Sequence, residues 1–306
     1  MKVVSVINFK GGVGKTTLTA NLGAYAASKG KRVLLIDTDP QTHLTFNFIS
    51  VEDWKKNLSK NKTMRDFFKP VLNGKNETRP LSDLIIPTYA GKYNIDILSS
   101  HLDLIETDME LAGMVISNTP LLLASTTLKT WSYLRNALNE VRNKYDLVLI
   151  DCPPSFYMIV RNVLIASDCC VIPSKLDYLS MLGIYNLQRS IRGLLKKYDE
   201  HSKILEENSY SPLYLITLGV IPSMVSYLKG DELISANQEY KHELEKQRYY
   251  LFKAIRNNSS VFGIAPKIGL PVVLTQPKTF FQKSQKIIVD ELKQLGEDFL
   301  QKLNLI

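Results

Sequence analysis

Short apolar runs recur along the chain, separated by longer stretches in which apolar residues step by three or four. Six runs stand out: Val3–Phe9, Arg32–Asp37, Asn94–Ser99, Asp146–Asp151, Cys169–Pro173 and Leu213–Ile221. Most are near-continuous in Val, Ile and Leu rather than alternating with polar residues. A strand covered by helices on both sides needs apolar side chains on both, so these runs predict buried parallel strands. A helix is expected between the first two, from near Gly14 to a C-terminal cap at Gly30, with Leu18, Leu22, Tyr25 and Ala26 on one face. The alternation predicts an α/β fold, doubly wound, with a mostly parallel sheet and helices on both faces. Two regions break the rhythm. Residues 50–92 are polar and lysine-rich, with turn signals at Asn73-Gly74 and Ala90-Gly91, and read as a surface insertion of short helices and loops. In residues 275–306, Ile288, Leu292, Leu295, Phe299 and Leu303 form one helical stripe. No linker composition divides the chain, so residues 1–306 are expected to form a single domain.

The first run leads into Phe9-Lys10-Gly11-Gly12-Val13-Gly14-Lys15-Thr16-Thr17. Glycines at a strand–helix junction let backbone amides face an anion without Cβ obstruction, and the helix N-terminus adds its positive end. Lys15 can reach β- and γ-phosphates, and the Thr16 hydroxyl can ligate Mg²⁺. The strict phosphate-loop spacing asks for glycine at position 9, where the chain has Phe9, so the loop is a variant carrying an extra lysine, Lys10. A dinucleotide fingerprint would need glycine at position 17, which is Thr17. Such a loop works with acids at neighbouring strand ends. Asp151 closes the run Leu147-Val148-Leu149-Ile150, and Asp37 and Asp39 close the second run, two apart and therefore able to share a face.

Composition narrows the class. The chain has 38 basic and 30 acidic residues, a net charge of +8, which favours an acidic or phosphate-bearing partner. Residues 241–286 hold nine lysines and arginines against two glutamates, interleaved with Tyr249, Tyr250 and Phe252. That clustering suits either a solvated helix face or contact with nucleic-acid phosphates. Cys152, Cys169 and Cys170 give no disulfide framework or zinc spacing and read as buried thiols in a reducing cytoplasm. His43, His101, His201 and His242 show no metal-ligand spacing. No signal segment and no run of 18 apolar residues is present, so no stable membrane insertion is expected.

Three stretches together resemble the ParA/MinD family of deviant Walker ATPases, nearest its Soj-like DNA-partition branch: Lys10–Thr17, Leu34-Leu-Ile-Asp-Thr-Asp-Pro-Gln41 and Tyr145-Asp-Leu-Val-Leu-Ile-Asp-Cys-Pro-Pro-Ser155. Cys170-Val-Ile-Pro-Ser174 and Met181-Leu-Gly183 follow the same branch. The resemblance implies ATP and Mg²⁺ as ligands. It implies that Lys10 crosses a nucleotide-sandwich homodimer, that Asp39 positions the attacking water, and that Asp37 and Asp151 bind magnesium through water. Pro153 and Pro154 would belong to the second switch, and Ser223, Met224 and Pro266 would contact adenine. It further implies slow hydrolysis stimulated by a ParB-like or other adaptor protein, a nucleoid-associated protein of the cytoplasm, and segregation of plasmid or chromosomal DNA. With that resemblance, non-specific DNA contact through Lys253, Arg256, Lys267, Lys278, Lys283 and Lys286 becomes the preferred reading of the basic cluster. No helix-turn-helix precedes the first run, so operator binding is not expected. Thr42-His43 stands where the branch usually has Gly-Asn, a departure that touches the first switch. The competing expectations are a MinD-like membrane-cycling ATPase, positioning of other cargo by the same cycle, and an iron–sulfur reductase. The first would need the terminal helix on lipid despite its acidic Glu297-Asp298, and the last would need suitably placed cysteines.

Overall fold

The computed structural model describes residues 1–74, 79–88, 90, 93–205, 213–228, 233–257, 259–263, 265–275 and 282–306. Eight strands are present among them: β1 (Lys2–Val6), β2 (Val33–Asp37), β3 (Ile86–Pro87), β4 (Ile95–Leu98), β5 (Leu147–Asp151), β6 (Cys169–Ser174), β7 (Ile216–Val225) and β8 (Ile255–Arg256). They form one sheet in the order β3-β4-β2-β5-β1-β6-β7-β8. Every pairing is parallel except β3 with β4. Successive strand residues feed opposite cores. Val3, Leu34, Val148 and Cys170 face one side with the helices Met158–Ala166 and Tyr178–Leu205, whereas Val4, Leu35, Leu149 and Cys169 face the other with Lys15–Ser28 and Gln282–Lys302. The fold is therefore α/β with helices on both faces of a mostly parallel sheet, as the near-continuous apolar runs require.

The first helix departs from the amphipathic expectation, being buried continuously from Leu18 to Ala27. It is wedged between the sheet and the C-terminal helix. Gly296 of that helix lies so close to the Tyr25 ring that a Cβ would collide with it, and the Tyr25 hydroxyl hydrogen-bonds Glu297. The stripe Ile288, Leu292, Leu295, Phe299 and Leu303 is at most 3% exposed.

Residues 50–92 are not merely a surface layer. The helix Met64–Leu72 sends Met64, Phe67 and Phe68 fully into the core, and Phe67 packs against Tyr133 with ring centroids 4.8 Å apart. Its start is fixed by a capping box in which Thr63 and Asp66 satisfy each other's orphan groups. Lysines such as Lys55 and Lys56 stay exposed, so a polar composition conceals an apolar minority at helical spacing. Strand limits also differ from expectation. β1 ends at Val6, and β7 runs from Ile216 past Pro222 to Val225, where the pairing with β8 slips between Ser223 and Val225. A proline beside such an irregularity removes no regular ladder bond. β3 and β8 have two residues each, too short for any periodicity to show.

Truncating a fully buried phenylalanine leaves a cavity as well as losing transfer energy. Phe67→Ala is expected to lower stability by about 3–5 kcal/mol in urea unfolding. A loss near zero would show that this segment does not share the main core.

Candidate functional site

The register of the sheet sets the site. Asp151, the last residue of β5, pairs across with Val6 of β1 on one side and Asp37 of β2 on the other. The glycine loop leaves β1 at this edge and turns into the first helix. Gly12 (φ 67°) and Gly14 (φ 82°) adopt left-handed backbone that a side chain would strain. Gly14 caps the helix without a side chain, so the first-turn N–H groups remain available to an anion. The Thr16 hydroxyl donates to Asp151 Oδ2 at 2.6 Å. Lys15 is buried, and its ammonium donates to the Lys10 carbonyl at 3.2 Å, folding over the loop. Gly11, Gly12, Gly14, Lys15, Thr16, Thr17, Asp39, Pro153 and Pro154 line a cavity of about 800 Å³. Val13 is buried beneath it, its carbonyl accepting a bond from Ser223 Oγ at 2.8 Å.

This geometry agrees with comparison to known proteins. A family model described as an AAA domain matches residues 1–204. The chain belongs to the ParA/MinD family of ATPases. It is 29% identical over 296 residues to the sporulation initiation inhibitor protein Soj of Bacillus subtilis, covering 96% of this chain and 98% of that one. It is 32% identical over 194 residues to the chromosome-partitioning ATPase Soj of Treponema pallidum, covering 62% and 64%. Among solved structures, an ATP complex of a Cyanothece McdA variant superposes with a TM-score of 0.74 at 19% identity, covering 100% of this chain and 97% of that one.

Lys10 does not face the cavity as part of the loop's lining. Its ammonium contacts Asp177 Oδ2 at 3.0 Å and Oδ1 at 3.1 Å, and Ser180 Oγ at 2.9 Å, within the same chain. Asp177 also receives the Ser180 amide at 2.8 Å at the start of the helix Tyr178–Leu205. Ser223 and Met224 line a second cavity of about 320 Å³, which shares Gly14 and Thr17 with the loop and is closed by Ile255, Asn257 and Phe262. Pro266 lies in the short helix Ala265–Ile268, and its side chain lies outside the described residues. Of the basic candidates, Lys253, Lys267, Lys283 and Lys286 are exposed, and Lys278 lies outside the described residues. Arg256 is committed to the fold: its Nε donates to Glu291 Oε1 at 2.7 Å, and its guanidinium sits 4.5 Å from the Tyr227 ring centroid. Cys152, Cys169 and Cys170 are interior, and burial pushes each thiol up, that of Cys170 to about 11. Asp177, Ser180, Asn257 and Phe262 escape sequence reasoning because no local motif carries them.

The acids suit a divalent cation. Burial, and then the neighbouring Asp37 charge, pushes the Asp151 carboxyl well above the ordinary range. Burial pushes Asp37 up to about 7, against the pull of two donors from Thr45. Burial lowers Lys15, and Asp151 opposes that shift. A bound cation would relieve this crowding of buried carboxylates. Among the described residues no three His, Cys, Asp or Glu side chains converge as a direct metal cage. Thr16, Asp37 and Asp151 are the residues that would hold such an ion.

Asp37 also makes the ligand-free fold pH-sensitive. With its carboxyl raised to about 7, the folded chain holds a proton that the unfolded chain releases near an ordinary aspartate's pKa of about 4. The unfolded state binds fewer protons across that interval, so stability falls as pH rises through it. Without nucleotide, Asp37→Asn is expected to lose less thermal stability than the parent between about pH 5 and about pH 8. Identical melting profiles for the two would refute the assignment.

Proposed function

We propose that this chain binds Mg²⁺–ATP at the glycine loop, hydrolyses it slowly, and uses the nucleotide as a switch for dimerisation on DNA. The observation that carries the reading is the convergence of Lys15, Thr16, Asp37, Asp39 and Asp151 at one edge of the sheet, beside a helix N-terminus with free amides. Those amides and Lys15 would hold the phosphates. Thr16, with Asp37 and Asp151 acting through water, would hold the magnesium ion, whose charge supports the leaving and transferring oxygens. Asp39, half-buried at the cavity wall, would orient the attacking water. The smaller cavity beside Ser223 and Met224 would take the base.

Several features support a dimer. Ile105, Met109 and Tyr157 line the mouth of the larger cavity and are 52%, 71% and 68% exposed, an apolar rim of the kind a partner covers. Lys10 then serves the partner's phosphates once it leaves Asp177 and Ser180. A cation supplied in trans can be worth ~10³–10⁵ in rate, which accounts for slow hydrolysis by the lone subunit. The Soj relatives, one of them described as a chromosome-partitioning ATPase, favour plasmid or chromosomal DNA as cargo and a ParB-like adaptor as the stimulating partner. Exposed Lys253, Lys267, Lys283 and Lys286 supply non-specific phosphate contacts, placing the protein on the nucleoid. A membrane-cycling role draws no support from the terminal helix, whose apolar stripe is buried against the first helix and the sheet. Among the described residues no helix is long and apolar enough to cross a membrane.

Lys15→Ala is expected to abolish ATP binding in calorimetry. Lys10→Ala keeps ATP binding but loses the ATP-dependent dimer in gel filtration; normal dimers from that variant refute the crossing role. The ATP form is expected to retard random duplex DNA at low salt. Replacing Lys253, Lys267, Lys283 and Lys286 together by alanine weakens that binding and flattens its salt dependence, by ~0.9 in the log–log slope for each phosphate no longer neutralised. Retardation unaffected by nucleotide or by these substitutions would remove DNA from the scheme.

A further inference from the structure

Asp37 and Asp39 are held by two hydroxyl residues that no motif contains. The Thr45 hydroxyl donates to Asp37 Oδ2 at 2.7 Å, and the Thr45 amide donates to the same oxygen at 2.8 Å. Asp37 Oδ1 accepts the Asp39 amide at 3.2 Å. Three chain donors therefore occupy most of the lone-pair sites of this carboxylate, leaving room for about one water. The Thr45 oxygen in turn accepts the Ser100 amide at 3.2 Å, and the Ser100 hydroxyl donates to the Asp39 carbonyl at 2.6 Å. Thr45, Ser100 and Asp37 are all fully buried.

Each hydroxyl has one hydrogen, and each is already directed: Thr45 toward Asp37, Ser100 toward Asp39. The Asp39 carbonyl also accepts the Thr42 amide at 2.9 Å, so both of its lone pairs are filled. Thr42 adopts left-handed backbone at φ 61°, where a β-branched residue is strained, and so turns the chain back from Asp39 toward Thr45. Ser100 is anchored from outside as well, since its carbonyl accepts the Trp54 indole N–H at 3.3 Å. The end of β4 thereby clamps the segment that follows β2.

We infer that Thr45 and Ser100 are positioning residues for ATP hydrolysis, Thr45 fixing the Asp37 carboxylate behind the metal-bound water and Ser100 fixing the Asp39 backbone from which the water-orienting carboxylate hangs. The inference rests on the reading of Asp37 and Asp39 given above. Neither hydroxyl touches the cavity; both act through an aspartate. Carboxylates behind a metal's own ligands set its affinity, typically by 10–100-fold when removed. Misplacement of a reacting group by about 1 Å can cost ~10² in rate.

The test compares the parent with Thr45→Val, Thr45→Ser and Ser100→Ala. Fluorescent ATP is titrated with and without magnesium, alongside steady-state hydrolysis and thermal melting. Thr45→Val is expected to bind metal-free ATP like the parent, to need ~10-fold more magnesium for the tightening that magnesium gives, and to lose ~10-fold or more in kcat. Thr45→Ser, which keeps the hydroxyl, restores both. Ser100→Ala is expected to lower kcat with KM for ATP little changed and with its magnesium requirement near parental. If Thr45→Val and Ser100→Ala only melt earlier, while folded protein keeps parental kcat and magnesium dependence, the two residues are structural and the inference fails alone. A parent without magnesium-dependent ATP binding overturns the reading of the site and this inference with it.

Discussion

Two carboxylates side by side in the interior of a parallel sheet form the constraint around which this molecule is organised. Asp37 and Asp151 are in register on adjacent strands, and both are fully buried. Burial alone makes their ionisation costly, and a neighbouring charge adds to it, that of Asp37 at Asp151 and that of Asp39 at Asp37. The fold tolerates them because nearby donors are recruited: Thr16 for Asp151, Thr45 twice and the Asp39 amide for Asp37, and the Lys15 ammonium within Coulombic reach of Asp151. Such an edge is electrostatically incomplete without a cation. Magnesium and a triphosphate, the ligands proposed for the site, would complete it, the metal answering the acids and the loop answering the phosphates.

The same logic separates what one subunit can do from what it cannot. Lys15, Thr16 and the loop amides all belong to elements adjoining β1, so a phosphate-binding surface exists within one chain. Lys10 is the exception. It begins the same loop yet turns away to Asp177 and Ser180 at the start of the helix Tyr178–Leu205. Its ion pair is about one-third exposed on the lysine side, so it is weakly held by the standards of buried pairs. A modest change in surroundings, such as a partner's phosphates, can compete for that ammonium. On the proposed dimer reading, the arrangement would keep Lys10 away from its own chain's nucleotide until another electrostatic partner is offered.

Much of this was legible in the sequence where chemistry is contiguous. Lys10–Thr17 lies between a strand and a helix, so spacing alone locates its amides and hydroxyl; Asp37 and Asp151 close apolar runs that could only be buried strands. Legibility stops where the chain returns from afar. Ser100 meets Asp39 and Thr45 across more than fifty residues, and Asp177 meets Lys10 across 167. No periodicity carries such contacts. Phe67 and Phe68 were hidden differently: an apolar pair diluted in a lysine-rich stretch lowers the average without losing its own burial. β3 and β8 are stabilised by their neighbours rather than by any pattern of their own, so two residues suffice in the sheet and leave no trace in the sequence.

The C-terminal third shows how burial redistributes functional candidates. Its helix could in principle have lain on a lipid surface, since the stripe from Ile288 to Leu303 is apolar and continuous. That stripe instead closes the core over the first helix, with Gly296 admitting the Tyr25 ring. The first helix carries Lys15 and Thr16 at its start, so the terminal helix buttresses the phosphate loop from behind. Releasing the stripe to a membrane would strip cover from that helix and loosen the loop's support. Its outward side carries Lys283 and Lys286, and Glu291 of the same helix draws Arg256 inward. One helix thus backs the glycine loop's helix with its apolar face and leaves Lys283 and Lys286 exposed on its polar face, a division that a lipid-bound helix could not maintain.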